Sequence, residues 1–124
     1  MNTRSVVIGC GHYLPSRIVE NSEFEATLDT NDEWIRSRSG IERRHFAAEG
    51  ETTSQMATAA AQAALDDAGL GADDVDAIIL ATSTPDLTFP SAATMVQAQL
   101  GMTKGFAFDV QAVCAGFVFA LANA

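Results

Sequence analysis

A cysteine at the junction of two sequence patterns is the strongest candidate for chemistry in this chain. The run Phe106–Val110 has the composition of a β-strand. The residues after it, as far as Ala124, are dense in alanine, valine, phenylalanine and leucine, as in an apolar helix. Cys114 lies just past this change, so its thiol is expected near the first turn of the helix. Unpaired N–H groups and the positive end of the helix dipole favour an anion there, and the thiolate is the nucleophilic form of cysteine.

Two interpretations of Cys114 stay open on this segment alone. Free cysteine is among the most buried residue types and often packs as a small hydrophobe. In favour of a functional thiol, Gly116 weakens the helix two residues later, and such a glycine often has a packing or functional reason. The helix is also apolar almost all round, which predicts a central position with a dry pocket that could stabilise an oxyanion.

A second candidate group lies on a short predicted helix. Asn31 or Asp32 suits its N-cap and Gly40 suits the position after its last turn. Trp34 and Arg38 are four residues apart, so they share one face of this helix. An indole next to a guanidinium can stack on a flat ring and hold a phosphate, as in a nucleotide-like ligand. The alternative is a partly buried tryptophan with an arginine folded over it, and the spacing alone favours that alternative.

Composition and charge exclude several kinds of partner. The 124 residues are 48% hydrophobic, enough for the core of one domain, and 16 acidic against 7 basic residues give a net charge of −9. This charge argues against nonspecific binding to nucleic acid or to an anionic membrane. Asp109 and Gln111 interrupt the last apolar run and argue against a membrane span. The opening residues lack a long apolar signal segment, which predicts a cytoplasmic protein in which Cys10 and Cys114 are free thiols.

The elements that must position these residues follow from apolar periodicity and capping signals. We predict strands at Val6–Ile8, at Ile41–Ala47, at Asp76–Ser83, which should be buried on both faces, and at Phe106–Val110. Helices are predicted from Asn21 or Ser22 toward Leu28, from Asn31 or Asp32 to Gly40, from the capping-box pair Thr52 and Gln55 to Ala68, from Pro90 to Leu100, and through Cys114. Strands that alternate with helices of this length indicate an α/β fold with a parallel or mixed sheet covered on both faces. The last helix reaches Ala124 without a stop signal, which predicts that the sequence is a fragment or is completed by a partner chain.

Three motifs carry a resemblance to a known family. The segments Asp32–Ile41, Phe89–Ala93 and Asp109–Phe117 resemble, in order and spacing, those of β-ketoacyl-[acyl-carrier-protein] synthase III, the initiating condensing enzyme of bacterial type II fatty-acid synthesis. The resemblance covers the whole chain. It implies a thiolase-like fold with α/β/α layers and a mixed sheet, of which residues 1–124 would form the incomplete N-terminal half of the domain.

The resemblance implies roles for five residues. Cys114 would be the nucleophile that takes an acyl group, acetyl being expected, from acyl-CoA as a thioester. Trp34 would stack on the adenine of coenzyme A, while Arg38 and Thr30 would lie along its binding channel. Phe89 would reach across a homodimer interface and shape the acyl pocket of the other subunit.

The resemblance also shows what this sequence lacks. The family uses a histidine and an asparagine to act on malonyl-acyl-carrier protein, the second substrate, and neither His12 nor His45 lies in the matching motif. No metal and no cofactor is implied, since acyl-CoA is a substrate. We expect the 124 residues alone to be inactive in condensation and unstable, because the central helix lacks its cover. Val113 stands where relatives commonly have alanine, a change that puts no chemistry in doubt.

Two other functions stay open as alternatives. The first is a related condensing enzyme of the same fold that makes a specialised metabolite, although the Asp32-Glu33-Trp34-Ile35 motif favours the fatty-acid enzyme. The second is a non-catalytic module that binds coenzyme A or an acyl carrier protein and holds Cys114 as an inert core thiol. Titration of thiol alkylation against pH separates an inert thiol from a reactive one.

Overall fold

The computed structural model describes residues 4–124, which divide into two compact units. The smaller unit is Leu14–Glu51, and the larger comprises Thr52–Ala124 and the described residues up to Tyr13. Residues 1–3 lie outside the described residues. The expectation that the opening residues contain no signal segment concerns them in part. Within residues 4–124, no helix has both the length and the apolar character needed to cross a membrane.

The smaller unit is a two-stranded antiparallel sheet with two helices. Its elements in chain order are β1 (Arg17–Glu20), α1 (Ser22–Glu25), α2 (Asp32–Ser39) and β2 (Arg43–Phe46), and Arg17 of β1 pairs with Phe46 of β2. The prediction for α2 is confirmed, because the Asn31 side chain accepts the Trp34 N–H at 2.8 Å and Gly40 closes the helix at φ 70°.

Helix α1 begins at Ser22, as predicted, but ends at Glu25, short of Leu28, and the Asn21 side chain does not cap it. The Asn21 side chain is 1% exposed and makes no capping hydrogen bond to α1. Its amide nitrogen instead donates to Asp32 Oδ1 and to the carbonyl oxygen of Ile41, both at 2.8 Å. Asn21 therefore ties the start of α2 to the chain just before β2.

The larger unit is built on a parallel strand pair. Its helices and strands are α3 (Thr53–Ala68), β3 (Ala77–Ala81), α4 (Ala92–Gln99), β4 (Phe106–Val110) and α5 (Gly116–Asn123), with short 3₁₀ turns at Ala72–Asp74 and Val113–Ala115. Strands β3 and β4 pair in parallel from Ala77 opposite Phe106 to Ala81 opposite Val110. The chain between them contains α4, so the predicted βαβ unit is confirmed.

The two faces of this strand pair are covered by different helices. Side chains alternate between the faces of a strand. On one face, Asp109 contacts the start of α4 through hydrogen bonds to its backbone, and α4 packs on α3. On the other face, Phe106 and Phe108 share a groove with α5. The unit therefore has the layers α3 and α4, then the strands, then α5.

Helix α3 follows the predicted capping signals closely. Thr52 and Gln55 form the capping box in both directions, and Gly69 closes the helix in the left-handed region at φ 68°. The chain at Gly9 and Gly11 runs directly against this helix. A Cβ atom on Gly11 would overlap the backbone of Ala60 and Ala64, so the approach requires glycine.

Four expectations need correction. Val6–Ile8 form no strand, because no strand among the described residues pairs with them, and their side chains are 66–75% exposed. Helix α4 begins at Ala92 and not at Pro90, since Ser91 is its N-cap. Strand β3 is half-buried and not buried on both faces. Within residues 4–124 most α5 side chains are exposed, so the central position predicted for this helix is not reached in this part of the protein; the large exposed side chains are Phe117, Val118, Phe119 and Leu121.

Candidate active site

Cys114 lies in a tight turn between β4 and α5. The turn is the 3₁₀ segment Val113–Ala115, and α5 begins directly after it at Gly116. Its first hydrogen bond is donated by the Ala115 N–H to the Ala112 carbonyl at 3.0 Å. The Cys114 N–H comes one residue earlier, and among residues 4–124 no acceptor is found for it, as is usual for the first N–H groups of a helical turn. The Cys114 thiol is exposed and does not form a disulfide bond.

The residue before the cysteine has an unusual backbone conformation. Val113 has φ 46°, in the left-handed region that β-branched residues rarely adopt. Its side chain is 75% exposed, so packing of the side chain does not explain the conformation. Strained residues of this kind cluster at active sites, where they fix the direction of a neighbouring side chain. Here the strain falls on the residue directly before Cys114.

An open apolar groove of about 920 Å³ adjoins the thiol. Residues of β3, β4 and α5 line it, and Cys114 and Val113 lie at its edge. The rings of Phe106 and Phe108 are stacked in it, with centroids 6.2 Å apart and planes within 9° of parallel. A thioester could reach the sulfur from this side. Within residues 4–124, the thiol therefore lies beside an open groove.

Gly116 has a packing reason, as the sequence suggested. It is buried where α5 crosses β3, and a Cβ atom there would lie 3.2 Å from the Cβ atom of Ala81. Such a contact is too close without movement of a neighbour, so the small residue lets the start of α5 sit near the strand. This close approach places Cys114 next to the carboxyl end of the strand pair.

The loop between β3 and α4 carries Phe89, whose side chain is 87% exposed. Asp86 fixes the middle of this loop to the start of α3, because its carboxylate accepts the Ser54 N–H at 2.8 Å and the Ser54 hydroxyl at 2.7 Å. The Thr53 hydroxyl adds a hydrogen bond to the Thr84 carbonyl at 2.6 Å. The Phe89–Pro90 peptide is cis. The loop thus presents an exposed aromatic ring from an anchored backbone.

The pKa of Asp86 reflects these contacts. Burial raises the pKa of the carboxyl, but hydrogen bonds from the Thr52 and Ser54 side chains and from the Ser54 and Asp86 backbone outweigh burial. Together they hold the pKa below its ordinary value, so Asp86 stays charged and bonded at neutral pH.

In the smaller unit, the Arg38 guanidinium lies over the Trp34 ring at 5.1 Å from its centroid. Trp34 is 54% exposed, so the arrangement agrees with the alternative interpretation, a partly buried tryptophan with an arginine folded over it, and still leaves about half of the residue accessible. Neighbouring Arg36 is ion-paired with Glu42 at 2.9 Å and with Asp32 at 3.8 Å. The charge of Arg36 is therefore neutralised by ion pairs, whereas the Arg38 guanidinium is stacked on the Trp34 ring.

Thr30 precedes this helix and has an unsatisfied group. Its hydroxyl oxygen is buried and has no hydrogen-bond partner among the described residues. A buried hydroxyl without a partner is costly, and a bound ligand would remove that cost.

The candidate residues fall into two sets. Cys114 and Phe89 belong to the larger unit, and Thr30, Trp34 and Arg38 belong to the smaller unit. In the described part of the chain, no group of three or more His, Cys, Asp or Glu side chains is arranged to hold a metal ion. Sequence reasoning missed three residues that organise the site: Val113, Asp86 and Asp109. Only Asp109 gave a signal, as a lone charge inside an apolar strand.

Comparison with known proteins gives a consistent result, although no family model matches the chain. The chain is 85% identical over all of its 124 residues to a β-ketoacyl-[acyl-carrier-protein] synthase III of Ruegeria sp. (strain TM1040), of which it covers 38%. The crystal structure of 3-oxoacyl-[acyl-carrier-protein] synthase III from Aquifex aeolicus VF5 matches 94% of this chain and 37% of its own, with a TM-score of 0.89 and 49% identity. The priming β-ketosynthase from the R1128 polyketide biosynthetic pathway matches 95% of this chain and 35% of its own, with a TM-score of 0.90 and 36% identity.

These matches confirm the fold and the family that the three motifs indicated. The structural neighbours are thiolase-like, which agrees with the layered α/β/α arrangement of the larger unit. The chain spans about 38% of the length of the curated relatives it matches. Over all of its 124 residues, the chain matches the N-terminal part of β-ketoacyl-[acyl-carrier-protein] synthase III.

Proposed function

We propose that the full-length protein is a condensing enzyme that initiates type II fatty-acid synthesis, with residues 1–124 as the N-terminal part of one thiolase-like domain. Acyl-CoA, acetyl-CoA being expected, and malonyl-acyl-carrier protein are its substrates, and it works as a cytoplasmic homodimer without a cofactor. The observation that carries the proposal is the Cys114 thiol in a strained turn beside an open groove, in a chain 85% identical to a synthase III. The 124 residues alone are expected to be inactive.

The first step is acyl transfer to Cys114. The thiolate attacks the thioester carbonyl of acyl-CoA, the new carbon–sulfur bond forms, and the thiolate of coenzyme A leaves. The Cys114 N–H, which precedes the first hydrogen bond of its turn, would donate to the oxyanion of the tetrahedral intermediate. Malonyl-acyl-carrier protein then loses carbon dioxide, and its carbanion attacks the Cys114 thioester. This second step forms the carbon–carbon bond and releases the cysteine thiolate.

The remaining candidate residues would bind the substrate. Trp34 would stack on the adenine with its open face, and Arg38 would hold a phosphate of coenzyme A, because Arg36 is already ion-paired. The Thr30 hydroxyl, which has no partner among the described residues, would lie along the channel. Phe89 would cross a homodimer interface, and its 87% exposure supports that role.

Mass spectrometry of the full-length protein after incubation with acetyl-CoA tests the first step. We expect one added acetyl group on Cys114, no acetyl group in Cys114→Ala, and unchanged labelling in Cys10→Ser. Cys10 is a matched control because it is the other exposed free thiol of the described chain. Acetylation of Cys10, or of neither cysteine, would overturn the proposal and favour a non-catalytic binding module.

A second experiment tests the coenzyme A site separately from the nucleophile. Trp34→Ala should weaken coenzyme A binding about tenfold, because stacking on an aromatic ring contributes about 1–3 kcal/mol per base. The same variant should leave the rate of Cys114 alkylation by iodoacetamide unchanged. Equal binding by wild type and variant would remove Trp34 from the site.

The likeness to the priming β-ketosynthase of a polyketide pathway supports a second candidate function, a priming enzyme with another starter unit. The chain is 36% identical to this β-ketosynthase and 49% identical to the Aquifex aeolicus synthase III, and the higher identity favours the fatty-acid enzyme. A panel of acyl-CoA substrates of increasing length decides between them. Preference for acetyl-CoA supports fatty-acid initiation, and exclusive use of a longer or branched acyl group supports the alternative.

A further inference from the structure

The carboxylate of Asp109 joins two parts of the larger unit. Asp109 lies on β4, with its side chain on the face opposite Phe106 and Phe108. Its Oδ2 accepts the Ala92 N–H at 2.9 Å and its Oδ1 accepts the Ala93 N–H at 2.7 Å. Both oxygens are therefore used on the first turn of α4, where an anion is favoured by the helix dipole.

The first turn of α4 receives its acceptors from two sources. Ser91, the N-cap, accepts the Thr94 N–H at 3.3 Å and belongs to the same segment of chain. Asp109 comes from a different strand. Removal of Ser91 would weaken the helix locally, whereas removal of Asp109 would also disconnect the helix from β4. The two residues thus cap the same helix end but differ in what they hold together.

Asp109 lies between the two candidate site residues of this unit, Phe89 and Cys114, along the chain. Phe89 lies two residues before Ser91, on the loop that leads into α4, and Cys114 lies five residues after Asp109 along the chain. Ala92 and Ala93 are fully buried, so the helix start cannot shift without disturbing the core. Asp86 anchors the other side of the same loop. Asp109 therefore links the start of α4, which follows the Phe89 loop, to the strand that leads into Cys114.

We propose that Asp109 is a positioning residue that holds the Phe89 loop and the Cys114 turn of one subunit in a fixed arrangement, and thereby sets the shape of the pocket that Phe89 forms in the partner subunit and the acyl chain lengths accepted there. The inference rests on the proposed function, in which Phe89 shapes an acyl pocket and Cys114 carries the acyl group. In a homodimer, the Asp109 carboxylate would connect the nucleophile of one subunit to the aromatic residue that this subunit contributes to its partner. A change of one ångström in such an arrangement can alter a rate about a hundredfold.

Asp109→Asn in the full-length protein tests this role, with Ser91→Ala as the matched control. The amide has the same shape, but only one of its two terminal atoms is an acceptor, so its NH₂ group would face one of the two N–H groups. We expect the ratio of kcat/KM for acetyl-CoA to that for butyryl-CoA to change about tenfold in Asp109→Asn and less than about twofold in Ser91→Ala. Equal effects of the two substitutions would reduce Asp109 to a helix cap and overturn the inference.

Amide hydrogen exchange provides a readout that needs no substrate. Asp109→Asn should accelerate exchange in the Phe89–Ala93 segment and in the Gln111–Gly116 segment, and Ser91→Ala should accelerate it only in the first. Acceleration confined to the first segment in both variants would overturn the inference. If Asp109→Asn does not fold, native-state exchange of the wild type in mild urea decides, because two segments held by one carboxylate should open together and separate opening contradicts the proposal.

The same pair of readouts separates this inference from the proposed function. A wild-type protein that takes no acyl group on Cys114 overturns the proposed function and the selectivity role of Asp109 with it. Exchange would still show whether Asp109 fixes both segments. Normal acylation of Cys114 with unchanged selectivity in Asp109→Asn would leave the proposed function standing and overturn the inference alone.

Discussion

Replacement of Asp86 by alanine should destabilise the full-length protein by about 3 kcal/mol. The substitution removes the acceptor of two hydrogen bonds from Ser54, one from its N–H at 2.8 Å and one from its hydroxyl at 2.7 Å. Ser54 is fully buried, so its N–H would lose its partner away from bulk water, and its hydroxyl would keep only the Thr52 hydroxyl at 3.3 Å as an acceptor. An unsatisfied buried donor costs about 1–3 kcal/mol, and the loss of the shorter hydroxyl hydrogen bond adds to this cost, which gives a total near the value stated.

Urea unfolding followed by circular dichroism measures this cost. The midpoint should fall while the slope with urea stays constant, which identifies a change in stability and not in compactness. Asp86→Asn, which keeps one acceptor oxygen, should lower the free energy of unfolding by about half as much as Asp86→Ala. Asp66→Asn is the control, because Asp66 is exposed and accepts a single hydrogen bond from Gln62, so its loss should stay within about 0.5 kcal/mol.

The pH dependence provides an independent check on Asp86. Its pKa is below the ordinary value of 3.8, so its stabilising effect is complete above that value and is lost as the pH falls through the lowered pKa of the folded state. The difference in stability between wild type and Asp86→Asn should therefore be constant from pH 7 to about 5 and shrink near pH 3. A loss below about 1 kcal/mol at pH 7, or a difference that persists unchanged to about pH 3, would refute this account of the network.

Three further predictions follow from close contacts, charge and backbone conformation. Gly11→Ala should cost about 3 kcal/mol because the added carbon overlaps α3, while Gly71→Ala, which meets nothing closer than 3.7 Å, should cost less than about 1 kcal/mol in the same unfolding assay. Arg38→Ala should weaken coenzyme A binding about tenfold in calorimetry, and the ion-paired Arg36→Ala should change it less than about twofold; the reverse order would refute the assignment. Val113→Gly should relieve a cost of about 1–3 kcal/mol in the fold and yet slow acylation of Cys114, measured by mass spectrometry at timed intervals; a faster acylation would contradict the view that strain aims the thiol.

Local signals in the sequence sufficed for the elements whose ends are set by nearby residues. The capping box at Thr52 and Gln55, the asparagine cap at Asn31 and the glycine at position 40 each act within one helical turn, so α2 and α3 could be predicted closely. Strand β4 was predicted with its observed bounds, because Phe106–Val110 is apolar on both sides of a single aspartate and is followed by a clear change of pattern.

The features that could not be predicted depend on contacts between segments that are distant in the sequence or on an unusual backbone conformation. Val6–Ile8 has the composition of a strand, but a strand needs a partner, and no partner is present among the described residues. The start of α4 depends on Ser91 and on Asp109 from another strand, which no local pattern reveals. The left-handed conformation of Val113 was hidden as well, because valine is among the last residues expected there. Thus the position of Cys114 could be predicted, whereas the geometry that aims it could not.

The buried amide of Asn21 sets a lower limit on how much chain is required to transplant α2, with its Trp34–Arg38 pair, into another protein. Its two hydrogen bonds end on Asp32 and on the carbonyl of Ile41, so a peptide of residues 31–40 would leave behind the group that orients it. A minimal portable unit must therefore begin before residue 21 and continue past residue 41. A graft of the Trp34 and Arg38 side chains alone would lack the Asn21 hydrogen bonds that fix the orientation of α2.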